Sequence, residues 1–320
     1  VVRSKATGTL RCPAGTWERA LSLPHPRLRP GILAYRGFRF ALPGPRRRLE
    51  TPVPAVTLLL GFNQPLRVHH THRPTVTRVC AVSGLATTPV VGEHDGHLSG
   101  IEVLITPWAA FTLFGLDQHE LADQVADPDD ALPAARGRWG SVTDLAGALG
   151  TLPTWNGRFA LLDEVFTRWT ETGMPASART VAAWNELVRT SGAVPVTQLA
   201  DQVGWSIRQL ENRFREQIGL SPKAAARVLR LQRARRLLAA GRTQAETAAA
   251  CGFYDQSHLS GEFRAMTGCT PGAFAAARRS PTPGSGPAGP DGPDRLQGEA
   301  TSLLLPASGT APFSKTPFTP

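Results

Sequence analysis

Two stretches of this 320-residue chain combine an apolar stripe with side chains able to hydrogen-bond flat heterocycles. In the first, Ile207, Leu210, Phe214 and Ile218 recur at intervals of 3, 4 and 4, the spacing of one helix face, and should point inward. Arg208, Glu211, Asn212 and Arg215 are then left on the outer face. In the second, Leu259 and Phe263 point inward, with Gln256, Ser257, Ser260, Gly261 and Arg264 outward. Arginine, asparagine, glutamine, glutamate and serine pair with base edges or phosphates. The chemistry they suggest is recognition by hydrogen bonds, not the making and breaking of covalent bonds. Glu211 has a competing use, because Arg215 at i+4 and Arg208 at i−3 lie within reach of a helix-surface ion pair.

Other chemistries find less support. His69, His70, His72, His94 and His97 fall among expected strands, and His70 and His72 share one strand face, as a metal site in a barrel would require. Arg67, Arg73 and Arg78 crowd that segment with positive charge and no glutamate follows at short spacing, so no metal is expected. No G-x-S-x-G or P-loop pattern occurs, and neither a catalytic residue nor a cofactor is expected. The four cysteines, Cys12, Cys80, Cys251 and Cys269, are too widely spaced for a zinc finger and fit buried or free thiols in a reducing cytoplasm. No apolar stretch approaches the ~20 residues of a membrane helix. The first thirty residues hold no apolar block of a secretory leader, and a cytoplasmic location is expected.

The elements carrying the two polar faces form a repeat. At an offset of 49, Leu210 matches Leu259, Phe214 matches Phe263, Arg215 matches Arg264, Gly219 matches Gly268, and Ser221-Pro222 matches Thr270-Pro271. In the helices before them the offset is 48, pairing Ala200 with Ala248 and Gly204 with Gly252, so the second turn is one residue longer. Each unit is a short helix, a turn and a second helix, the arrangement that lays its second helix in the major groove. Ser206 with Gln209 and Thr243 with Glu246 read as capping boxes, and Ser221-Pro222 and Thr270-Pro271 as a cap followed by proline at the first helical position. Seven helices follow: one at TVAAWNELVRT, then Val196–Val203, Ser206–Gln217, Ser221–Ala240, Thr243–Cys251, Asp255–Thr267 and Thr270–Arg278. The fourth would be about 30 Å long, close to the ~34 Å between major-groove faces on one side of a duplex. Phe214, Phe263, Trp205 and Tyr254 are expected in the core, as are Cys251 and Cys269.

Upstream, VPAVTLLLGF, TVTRVCAVSGL and GIEVLITP read as strands, and AAFTLFGLDQHELADQVA, SVTDLAGALG and FALLDEVFTRWTET as helices. The expected fold is an α+β N-terminal module, a strand-rich barrel or sheet followed by helices, joined to an all-α domain of seven helices with two helix-turn-helix motifs. The boundaries are 1–48, a basic and partly disordered extension; 49–172, a regulatory, effector-sensing or dimerisation domain; 173–180, a linker; 181–279, the double helix-turn-helix domain; and 280–320, a disordered Pro/Gly-rich tail. The net charge of +10 is unevenly spread: 11 basic and one acidic residue lie in 1–48, 8 and 14 in 49–179, and 14 and 7 in 180–279. A polyanionic partner is favoured.

With VTQLADQVGWSIRQLENRFREQIGLSPKAAARVLRLQRARRLL and TQAETAAACGFYDQSHLSGEFRAMTGCTPGAF, residues 181–279 resemble the DNA-binding domain of the AraC/XylS transcriptional regulators. VSGLATTPVV and FGLDQHELADQVADPDDAL resemble the strand-rich, then helical N-terminal halves of a subset of these proteins, which implies a sensing or dimerising role. The resemblance implies double-stranded DNA and RNA polymerase as partners, with a small-molecule effector and a second copy of the chain as further ones. It implies base contacts by Arg208, Glu211, Asn212, Gln256, Ser257 and Ser260. Phosphate contacts are implied for Arg215, Ser221, Lys223, Arg227, Arg230, His258, Arg264 and Thr270, with His258 alternatively bonding within its own helix. Gly261 departs from the long polar residue common in relatives. The alternatives are a nonspecific architectural DNA binder, which makes poor sense of two polar reading faces, and a metal-binding barrel enzyme fused to a DNA-binding domain. Since phosphate contacts release counterions, affinity for duplex DNA should fall steeply as salt rises in a binding titration, and a flat response would contradict the reading.

Overall fold

The computed structural model describes residues 5–12, 15–71, 73–131, 140–279 and 302–305. The N-terminal half builds two antiparallel sheets. Strands β1 (Lys5–Cys12), β2 (Gly15–Ser22), β3 (Ile32–Ala41), β4 (Arg46–Glu50), β5 (Val56–Gly61) and β6 (Leu66–His70) come first. Then follow β7 (Val76–Arg78), β8 (Ala81–Ser83), β9 (Val90–His94), β10 (His97–Ile105), β11 (Val125–Ala126) and, far downstream, β12 (Ser302–Leu305). One sheet runs β1-β2-β3-β10-β5-β8-β11 and the other β12-β4-β9-β6-β7. Because strand side chains alternate, Ile101, Val103 and Ile105 of β10 share one face. They form a buried core with helices α1 (Pro107–Phe114), α3 (Val142–Thr151) and α4 (Trp155–Thr172). A short helix, α2 (Pro128–Ala131), precedes α3.

The strands expected from VPAVTLLLGF, TVTRVCAVSGL and GIEVLITP are present as β5, β7 with β8, and β10. The reading of residues 1–48 as an extension needs correction, because β2 and β3 are integral to the larger sheet and β3 pairs with β10 along its length. Ala20, Leu28, Ile32 and Tyr35 lie in its core. Asp163 of α4 accepts the backbone N–H of His25 at 2.8 Å and the Tyr35 hydroxyl at 3.1 Å, which ties this segment down. Trp155 packs flat over Gly37, where a Cβ would lie 2.4 Å from the ring, and donates its indole N–H to Glu18 at 2.8 Å. Within the supposedly disordered tail, Ser302–Leu305 forms strand β12 against β4, satisfying a backbone edge the smaller sheet would otherwise expose. The rest of 280–320 lies outside the described residues.

The C-terminal half has the seven expected helices, α5 (Ala178–Arg189), α6 (Val196–Val203), α7 (Ile207–Gln217), α8 (Pro222–Ala239), α9 (Gln244–Cys251), α10 (Gln256–Thr267) and α11 (Pro271–Arg279). The connection between the halves is shorter than 173–180, because α5 already begins at Ala178 and buries Thr180. No described helix is long and apolar enough to cross a membrane.

Among the described residues the histidines do not converge. Among the described residues no group of metal-ligating side chains forms, and His72 lies outside them. His69 instead reaches Glu93 at 3.1 Å. His94 is buried, stacked 5.9 Å from the Phe40 ring, and accepts the Gly96 N–H. Burial, aided by Arg48, lowers its pKa from 6.5 to about 4. The unfolded chain therefore takes up this proton first as pH falls. The stabilising effect of the neutral ring is complete above about pH 6.5 and is lost as pH drops towards 4, by up to about 3 kcal/mol. Urea unfolding of wild type and His94→Asn across this range should show a steeper acid loss for wild type, and parallel profiles would contradict the assignment.

Candidate nucleic-acid interface

Helices α7 and α10 are each set by local sequence signals. Gly204 ends α6 in the left-handed conformation at φ 66°, and Ser206 then opens α7 with a complete capping box. In the second copy Gly252 ends α9 at φ 70°, and Asp255 caps α10 by accepting the His258 N–H at 2.7 Å. The turn between α9 and α10 is one residue longer than that between α6 and α7, as the repeat offset requires. Downstream, Ser221 accepts the Ala224 N–H at 3.2 Å and Thr270 accepts the Ala273 N–H at 3.2 Å. Both predicted phosphate-contacting hydroxyls therefore have a structural duty as helix caps.

The apolar stripes point inward. Leu210, Phe214, Ile218 and Leu259 are fully buried and Phe263 nearly so, joined to α8 through one core. Ile207 is the exception at 44% exposure, since it stands in the first turn of α7, before the helix reaches that core. Tyr254 also departs from expectation. It is 93% exposed in the turn before α10, beside the outer face it was expected to lie beneath. Trp205 is half-buried, with the Arg179 guanidinium 5.9 Å from its ring. Cys251 is buried and Cys269 partly so, and burial pushes both thiols up.

Arg208, Glu211, Asn212 and Arg215 are exposed together on α7. Glu211 makes no ion pair among the described residues. The pair on this helix is Arg213 with Glu216, at 2.8 Å. Gln256 and Ser257 are exposed at the start of α10, with Ser260 half-buried one turn on and Arg264 exposed beyond it. A residue that the spacing argument missed connects two of them. The Gln244 side-chain carbonyl on α9 accepts from Gln256 at 3.5 Å and from Ser260 at 3.4 Å, buttressing both from behind. Only the folded packing of α9 on α10 reveals it. His258 accepts the Tyr254 N–H at 3.3 Å, which is the local alternative to a phosphate contact.

The basic residues of α8 do not form one free stripe. Lys223 and Arg236 are exposed, and Arg227 and Arg230 are half-buried beside Glu262 of α10. Arg235 is completely buried and donates to the Thr51 hydroxyl of the N-terminal half.

Ser177, the N-cap of α5, donates its backbone N–H to the Gln217 side chain of α7 at 2.9 Å. The first helix-turn-helix unit also touches the N-terminal half. Gly219, at φ 96°, lies so near the Gln118 carbonyl that a Cβ would sit 2.8 Å from it. Leu85 enters the C-terminal core, and Trp108 packs against both cores. A cleft of about 620 Å³ opens beside these contacts, lined by Phe111 and Met174 on one side and by Gln209, Asn212 and Arg213 of α7 on the other.

Residues 199–277 match the family profile of a helix-turn-helix domain. A transcriptional regulator from Chromobacterium violaceum, described among AraC-type DNA-binding domain-containing proteins, is 31% identical over 33% of this chain and 100% of its own, with a TM-score of 0.30. The xylose-binding transcription activator xylR is 24% identical over 34% of this chain and 29% of its own, with a TM-score of 0.29. ToxT from Vibrio cholerae is 9% identical over 77% of this chain and 98% of its own, with a TM-score of 0.44. No curated protein matches the chain.

Proposed function

The chain belongs to the AraC family of transcriptional regulators through its C-terminal helix-turn-helix domain, and from that premise we propose that it is a sequence-specific regulator reading two adjacent major-groove segments. One segment is read by α7, the other by α10. The observation that carries this reading is the duplication itself: two helix-turn-helix units with matching cap residues flank one helix, α8, and each turns a polar face to solvent. An 18-residue α8 spans about 27 Å, near the ~34 Å period at which a duplex presents its major groove on one side. Arg208, Glu211 and Asn212 would meet base edges in one groove, and Gln256, Ser257 and Ser260 in the next. Arg215 and Arg264, equivalent in the repeat, would meet the backbone, with Lys223 and the ends of α8 and α11. Tyr254, exposed at the mouth of α10, joins this surface as a further candidate for the sugar-phosphate chain.

Control by the N-terminal half is the second part of the proposal. It is supported by the close approach of Gly219, just past α7, to the Gln118 carbonyl and by the cleft, whose wall includes Asn212. A small molecule or a second copy of the chain that repositions the N-terminal half would thereby act on the first reading helix. Recruitment of RNA polymerase would be the output, with DNA occupancy rather than catalysis as the controlled quantity.

Substitution separates base readers from phosphate anchors. Arg208→Ala or Gln256→Ala is expected to cost about 1–3 kcal/mol on the preferred duplex and to relax preference at one base position, as measured by binding to a panel of singly altered duplexes. Equal weakening on every duplex would assign these residues to the backbone instead.

A further inference from the structure

The two reading helices differ in charge at one equivalent position. Where α7 carries Arg213, α10 carries Glu262, 49 residues later. Arg213 pairs within its own helix, whereas Glu262 reaches across to α8. One Glu262 oxygen lies 3.2 Å from the Arg227 guanidinium and the other 4.0 Å from that of Arg230. His258, one turn earlier on α10, stands 3.9 Å from the same carboxylate. The Glu262 side chain is only 20% exposed and those of Arg227 and Arg230 are 34% and 25% exposed, so their attraction is less screened than that of a pair in open solvent. Arg230 is further held by its approach to the Phe253 ring, 5.7 Å from the centroid.

We propose that Glu262 serves as an internal stand-in for a DNA phosphate. It keeps Arg227 and Arg230 against α10 in the free protein and yields them to the backbone only when α10 is seated in its groove. A carboxylate and a phosphate compete for the same guanidinium donors, and an unreleased Glu262 would repel the phosphate it displaced. On an arbitrary duplex α10 is not seated, the arginines stay with Glu262, and two potential phosphate contacts are withheld. Nonspecific affinity is thereby lowered and discrimination raised, a specificity device built from a repulsive element. This deepens the DNA-reading proposal and rests on it.

The experiment titrates full-length wild type, Glu262→Gln, Arg227→Gln with Arg230→Gln, and the triple variant against a selected and a scrambled duplex over a range of salt. Glu262→Gln should bind the scrambled duplex about tenfold tighter at low salt, with a salt slope steeper by about one to two, since each phosphate neutralised adds about 0.9. Its ratio of selected to scrambled affinity should fall. In the triple variant the slope should return to the wild-type value. The arginine double variant should leave the scrambled-duplex slope of wild type unchanged, and this arm stands even if Glu262→Gln fails to fold. A loss of about two from that slope would show that both arginines already contact nonspecific DNA and would overturn the proposal, as would an unchanged slope in folded Glu262→Gln. Failure of wild type to prefer the selected duplex would instead remove the DNA-reading premise.

Discussion

A single helix with almost no free face governs the C-terminal half. From Pro222 to Arg235, Lys223 alone is exposed on α8, and Ala225, Val228, Leu229, Leu231 and Ala234 are buried towards its neighbours. Such a helix cannot act as a solvated tether, because it is the common floor on which both helix-turn-helix units pack their apolar stripes. The separation of the reading helices is consequently fixed by packing instead of by chain flexibility. On the proposed reading, such a rigid spacer would turn two weak local recognitions into one joint requirement on the spacing of the DNA.

The same helix reaches the N-terminal half through the buried Arg235, while Gly219, just past α7, closely approaches the Gln118 carbonyl. Burying a guanidinium is costly unless it is partnered, so this contact is specific as well as apolar. Strand β12 adds a third link, returning the chain from beyond α11 to the edge of the smaller sheet. The two halves therefore share contacts at the elements that set the relative placement of α7 and α10.

Much of the reading domain was legible in the sequence because its signals are local. Capping boxes, αL glycines and a 3.6-residue apolar period fix the helices irrespective of tertiary context, and the one-residue difference in turn length appears directly as a change of repeat offset. Elsewhere the deciding contacts are distant in sequence. Strand β3 interleaves Arg36 and Arg39 with its apolar residues, and β4 is Arg46, Arg47, Arg48, Leu49, Glu50, so neither displays a clear alternation; pairing with β10 and β9 defines them. Tyr254 reads as core by residue type, yet a four-residue turn swings it outward. The pairing of Gln244 with Gln256, and of Glu262 with Arg227 and Arg230, joins separate helices and leaves no spacing signature.

The central claim is that one chain reads two groove segments at a separation set by α8. Selection of random duplexes by the full-length protein, followed by titration of the winning and scrambled sequences, tests it most directly. The account predicts two short sequence determinants about one helical turn apart on the winning duplex, bound at least ~10³-fold more tightly than scrambled DNA, with affinity lost when about half a turn is inserted between them. Equal binding to both duplexes, or a single determinant indifferent to the insertion, would contradict it.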